Sequence, residues 1–230
     1  GTAALINLAK SEDASNLARE KAYGALRVLA KHQAAAHLVI LGSGPDGVKL
    51  IIRGMTGAPK KGPSNNMKRN SAGLIANLSY CGASAAIKLK FQIAVAEHLE
   101  VIPILVDLVA WMAEGQYVTR ELACDALSFL GDNNPTLQKR ILDHGAIFPI
   151  LSLIASGTPS SNYAGYRSGL QALWKISQLK EGATAAAKAG AIPILVKLLN
   201  EHRNMPIVAN HEVLKVDTVA MAKHWNPLGT

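Results

Sequence analysis

Apolar residues recur at three- and four-residue spacing along most of the chain, in stretches separated by Gly, Pro, Ser and Asn. That period is the mark of amphipathic helices, and the separators are turn formers. The pattern predicts helices over Thr2–Lys10, Ala14–Lys31, Val48–Met55, Asn66–Tyr80, Ala83–Glu97 and Leu99–Ala113. It continues with Gln116–Leu130, Thr136–Asp143, the apolar segment from His144, a second amphipathic segment ending at Ser177, then Ala183–Ala189 and Gly190–Asn200. Asn210–Lys223 reads as a last amphipathic helix and His224–Thr230 as an irregular tail. His32–Leu41 fits a short helix or a strand, and Thr56–Asn66, rich in Gly and Pro, reads as a long loop. Asp132-Asn133-Asn134-Pro135 is a strong stop signal.

The helices repeat. Pro103, Pro149 and Pro193 mark one position in three units, 46 and 44 residues apart, a period that belongs to helical solenoids. Proline is tolerated in the first turn of a helix, where its missing N–H has no partner to lose. The long helices align separately as AYGALRVL, SAGLIANL, ACDALSFL and GLQALWKI. One column holds only small residues, Ala22, Ser71, Ala123 and Gly169. The next reads Ala25, Leu74, Ala126 and Ala172, followed by Leu26, Ile75, Leu127 and Leu173, then Leu29, Leu78, Leu130 and Ile176. These four columns share one helical face. A single repeat cannot bury that face alone, so the units must stack.

On GAIPILVKLL as a second helix, and ALRVLA and LIANLS as third helices, the chain resembles the armadillo repeat family, with HEAT repeats related. The resemblance implies an all-α, right-handed α-solenoid of about five repeats over residues 1–223. The repeats would be a truncated 1–31, then 32–80, 81–131, 132–180 and 181–223, with 224–230 as tail. It also implies that the third helices line a concave groove. Helical geometry turns Glu20, Gly24, Arg27 and Val28 away from the core columns, with Arg69, Gly73, Ala76 and Asn77 in the next repeat. Glu121, Asp125, Ser128 and Phe129 follow, then Arg167, Gln171, Trp174 and Lys175. Asn77 matches the family's groove asparagine, which holds the backbone of an extended peptide. Val28, Phe129 and Lys175 stand at the equivalent places. No Trp precedes any of these by four residues, a departure from the importin-α version of the motif that speaks against nuclear-signal recognition.

Composition agrees with packed helices: apolar residues are 49% but aromatics only 5%, so small residues set how closely axes approach. The net charge of +8 favours acidic partners, nucleic acid or an anionic assembly. Cys81 and Cys124 lie in apolar helical stretches without a CxxC spacing and read as buried, reduced thiols. No apolar run reaches membrane-spanning length; Val101–Met112 is too short and holds Asp107. There is no secretory signal, and the chain opens at Gly1 inside a repeat, as a fragment or processed product would.

Chemical motifs do not compete with the repeat. Gly42-Ser43-Gly44-Pro45-Asp46-Gly47 satisfies GxGxxG, but no Asp or Glu follows from Val48 to Ala96 to hold a ribose. The seven histidines show no metal spacing, and no GxSxG elbow exists. His98 and His144 occupy equivalent corners and read as structural. Lys60, Lys61, Lys68 and Arg69 form a local basic group, either a solvated loop or a contact for nucleic acid or acidic protein. The expectation is a non-enzymatic protein-binding scaffold, without cofactor, metal, small-molecule substrate or membrane insertion. It would bind through Arg27, Arg69, Asn77, Arg167, Trp174 and Lys175. Its alternatives are a permanent structural subunit of a large assembly, organellar or cytoskeletal, and a basic nucleic-acid-binding repeat protein. The expected address is intracellular, the cytoplasm first, with mitochondrion or nucleus as alternatives.

Overall fold

The computed structural model describes residues 1–32, 40, 42, 45–57, 62–80, 85–156 and 163–203. Every regular element among them is a helix. In order they are α1 (Thr2–Lys10), α2 (Asn16–His32), α3 (Pro45–Thr56), α4 (Asn65–Tyr80), α5 (Ala85–Ala96) and α6 (Val101–Ala110). Then come α7 (Tyr117–Gly131), α8 (Pro135–Asp143), α9 (Ile147–Ser156), α10 (Tyr163–Ile176), α11 (Lys180–Lys188) and α12 (Ala191–Arg203). The expected helix over Asn210–Lys223, the tail, Cys81, Lys60, Lys61 and most of His32–Leu41 lie outside the described residues. The chain forms two compact units, Gly1–Val196 and Lys197–Thr230. The described part of the second, residues 197–203, is helical and carries a Lys197–Glu201 pair at 3.8 Å.

Within the first unit the expected repeat is present. The third helices α2, α4, α7 and α10 lie side by side. Behind them α3, α6 and α9 each pack on the third helix of their own repeat. The small column is where neighbours press together: Ala22, Ser71 and Ala123 are almost wholly buried, and Gly169 is buried as well. A Cβ on Gly169 would stand 2.5 Å from Ile154 Cγ1 of α9. The large columns fill the shared core through Leu26, Leu74, Ile75, Leu78, Leu127 and Leu130. Ala25 and Leu29 of the first repeat are only half-buried.

The corners follow from local chemistry. Pro103, Pro149 and Pro193 are each the third residue of their helix, where the missing N–H costs nothing. Gly145 and Gly190 precede α9 and α12 with φ of 72° and 87°, in the left-handed region. Nothing would touch a Cβ at either, so the backbone angle alone calls for glycine. At α8 the turn is closed by the Gly145 N–H on Leu142 O and the Ala146 N–H on Ile141 O. The α7–α8 corner uses asparagine instead: Asn133 has φ of 54°, and the Asn134 side chain accepts from Leu137 N at 3.0 Å, with Pro135 opening the helix.

Glycine also sets a close approach in α3. A Cβ on Gly54 would lie 2.0 Å from Ser71 Oγ and 2.7 Å from the Tyr23 ring. Tyr23 is itself fixed, since its hydroxyl donates to Leu50 O at 2.7 Å. Gly54→Ala is therefore expected to cost about 1–3 kcal/mol through overpacking. Gly145→Ala, strained only in its backbone, is expected to cost about 1 kcal/mol. Urea denaturation of the two variants checks both values; equal, negligible losses would contradict this packing.

Candidate functional site

The third helices present a continuous row of side chains turned away from the core columns. Burial trims the expected row. Ala76 and Ser128 are buried, as is Gly73, because the next third helix covers that flank. A Cβ on Gly73 would meet Arg27 Cδ at 2.6 Å and Leu122 Cδ1 at 3.2 Å. The stem of Arg27 thus crosses from α2 onto α4.

Three chemically distinct stations remain. The first joins α2 and α4. Arg27 and Arg69 are half-buried, and Asn77 Nδ2 donates to Arg27 O at 2.8 Å. Burial, and then the charge of Arg69, hold the Arg27 guanidinium below its usual range. Asn77, expected to hold a peptide backbone, spends one N–H on the neighbouring helix; its amide is thereby oriented rather than loose.

The second station is α7. Glu121 and Asp125 stand one turn apart, with Arg167 of α10 beside them. Burial pushes both carboxyls up, and Asp125 adds repulsion at Glu121. A Ser168 hydrogen bond to Asp125 and a Gly165 backbone bond to Glu121 draw them back down, and the charge of Arg167 adds to both. Near the other end of this helix Phe129 meets Tyr80 of α4, ring centroids 5.0 Å apart. Tyr80 is 65% exposed, so this pair opens to solvent.

The third station is α10 and the end of α7. Trp174 is 50% exposed, and Lys175 Nζ lies 4.1 Å from the centroid of its ring. The same ammonium pairs with Asp132 at 2.5 Å, while Lys88 of α5 binds the other oxygen of that carboxylate. Burial alone would raise the Asp132 carboxyl; the hydrogen bonds from Lys175 and Lys88 outweigh it and hold the group below the usual carboxylate range. Lys175 is accordingly a strut that holds Trp174 in place, with only 13% of its side chain exposed.

The six expected residues fall into two groups: Arg27, Arg69 and Asn77 at the first station, and Arg167, Trp174 and Lys175 on α10. The sequence reading passed over Asp132, taken only as a stop, and the Tyr80–Phe129 pair. The spacing of Lys88, Asp132 and Lys175, close to one repeat each, was the available signal for Asp132. The other chemistry remains structural. Gly47 serves packing, since a Cβ there would lie 2.2 Å from Ile40 O. His98 is buried at its corner, whereas His144 is exposed. Cys124 is buried, and its Sγ donates to Ser168 O at 3.4 Å. Among the described residues no cluster of His, Cys, Asp and Glu could hold a metal ion, and no single helix is long and apolar enough to cross a membrane.

No family model and no curated protein matches the chain. Solved structures do. A computationally designed armadillo repeat protein for modular peptide recognition superposes with a TM-score of 0.68 at 20% identity, over 95% of this chain and 78% of that one. An engineered protein solved by a structural genomics consortium gives 0.67 at 19% identity, over 86% and 73%. A designed armadillo repeat protein in complex with the peptide (KR)4 gives 0.64 at 17%, over 86% and 73%. The fold is thus an all-α, right-handed solenoid of armadillo-like repeats.

The stations titrate in opposite senses. Asp132 prefers its charged form when folded, so its stabilisation is present above the unfolded value near 4 and is lost as pH falls through the lower folded value. Asp125 has a raised folded value, so the folded state gains as pH falls through it. Relative to Asp132→Asn, the native protein should lose its advantage as pH falls below about 5; relative to Asp125→Asn, it should improve as pH falls toward about 4, so the two slopes oppose each other where the windows meet. Urea midpoints at a series of pH values decide it, and slopes of the same sign would refute the assignment.

Proposed function

We propose that the protein is a non-enzymatic interaction scaffold that receives an extended segment of a partner protein along its third-helix face. The observation that carries this reading is Trp174, an aromatic half exposed on α10 yet braced by Lys175 and, through it, by Asp132. A large apolar ring held rigid at a surface loses little entropy when a partner covers it, which is the character of an interface anchor. Arg167 on the same helix and the exposed Tyr80–Phe129 pair extend the surface. The armadillo-like fold supports the reading, since two similar designs carry peptide recognition or a bound peptide in their descriptions. A nucleic-acid partner fits less well: Glu121 and Asp125 interrupt the face with negative charge, where a phosphate chain needs continuous positive potential.

Photo-crosslinking residues placed at 174 and, as a control, at the exposed Lys139 of α8 test this in native lysate. Defined protein adducts from position 174 and none from 139 are expected. Trp174→Ala is expected to weaken capture of the same partner about tenfold or more with an unchanged melting temperature. Adducts only from 139, or to nucleic acid with steep salt dependence, would refute the reading.

A further inference from the structure

The positive charge of the chain is concentrated. Between Lys21 and Ala96 there are eleven Lys and Arg against a single acid, Asp46. Most of these cations lie elsewhere than the third-helix face or have a partner, as Arg53 has in Glu12 at 2.8 Å and Lys88 in Asp132. Arg27 and Arg69 differ. Both stand on the face, both are half-buried, and neither has an ion pair or side-chain hydrogen bond among the described residues. Glu20, the acid nearest in sequence, is occupied by Ser64 at 2.7 Å and Asn66 at 3.0 Å.

The arrangement is built rather than incidental. Arg69, Gly73 and Asn77 follow one another at one-turn intervals on α4. The missing side chain at Gly73 lets the Arg27 stem lie across α4, and Asn77 grips the Arg27 carbonyl. The Arg27 stem thereby lies one turn from Arg69 on α4, close enough for the two charges to repel, with water partly excluded. Such a like-charge pair is unfavourable until an anion joins it, and guanidinium forks match the oxygens of carboxylates and phosphates.

We propose that Arg27 and Arg69 form an anion clamp that seats an acidic side chain of the bound segment, a carboxylate or a phosphate ester. The proposal rests on the groove reading above and adds the polarity of the partner: an acid at the α2–α4 end, and cation-tolerant positions where Glu121 and Asp125 follow. Neighbouring helices stand about 8–10 Å apart and an extended chain rises about 3.3 Å per residue. The acid and the residue facing α7 should therefore be about two to three residues apart.

The test uses the full chain and a phage-displayed library of random peptides about twelve residues long. Selected peptides are expected to carry an Asp or Glu. Changing it to Gln, or changing the protein to Arg27→Met/Arg69→Met, should each weaken binding about tenfold, with no further loss when combined. Methionine keeps the aliphatic stem over Gly73, and the melting temperature should not fall. Replacing the acid by phosphoserine separates the two sources: tighter binding assigns a phosphate ester, weaker binding a carboxylate. Peptides lost on Trp174→Ala but indifferent to the arginine pair would overturn the clamp and leave the groove reading standing. Peptides lost with the arginine pair but indifferent to Trp174→Ala would support the clamp and remove Trp174 as the anchor. Peptides indifferent to both changes, or no selected peptide, would overturn both. A polyuridine strand binding the pair more tightly than any selected peptide would overturn the peptide as occupant.

Discussion

Each third helix can sit close on the helix behind it in its own repeat only if its inner face carries almost nothing at the crossing. Ala22, Ser71, Ala123 and Gly169 meet that condition at one equivalent position in four repeats. A larger residue there would push axes apart and open gaps beside Leu74, Leu127 and Leu130, whose methyl groups supply the burial that stacking depends on. The same closeness requires Gly54 behind the second third-helix, where Ser71 and Tyr23 already occupy the space a Cβ would need. The spacing of the face that a partner would read is therefore set inside the core.

Packing fixes distance; polar groups fix register. Gln92 of α5 donates to Leu130 O and Asp132 O at 3.0 Å each, bonding the carbonyl end of α7. Gln138 stands 46 residues later, one repeat on, and donates to Gln178 at the end of α10. Arg140 reaches Ala96 O at 2.9 Å, and Arg120 donates through Nε to Val109 O at 2.8 Å. The carbonyls at a helix end lack partners within the helix, and burying them unpaired would cost about 1–3 kcal/mol each. A repeat slipped by one residue would lose these bonds together, so the polar junctions select one stacking among the many that apolar faces alone would allow.

Helix periods, the proline position, the small column and the stop before Pro135 were all legible as sequence, since each is a local rule acting within one turn or one repeat. Which outward residues stay exposed was less legible. Ala76 and Ser128 point away from their own core columns, but the neighbouring helix covers them, and that depends on a lateral distance no single helix encodes. Lys175 illustrates the same limit. Its spacing marks it as a groove residue, yet its ammonium is committed to Asp132 and the Trp174 ring. Trp174, expected on the outward face, is half exposed with that same cation over its ring.

The stations also differ in how their charge is balanced, and this orders the face from one end to the other. At the α7–α10 end, Asp132 lies between Lys88 and Lys175, so each of these charges has an opposite partner and the network serves rigidity. In the middle, Glu121 and Asp125 are compensated in part by Arg167, and burial keeps their carboxyls easier to protonate than in water. At the α2–α4 end, Arg27 and Arg69 repel each other and neither is ion-paired among the described residues, while Glu20 is bound by Ser64 and Asn66. Conformational rigidity comes from satisfied charge, whereas affinity for an outside group comes from charge left unsatisfied. By that criterion the two ends have different roles: the tryptophan end supplies a preformed apolar contact, and the arginine end supplies the electrostatic demand that a partner of opposite charge relieves.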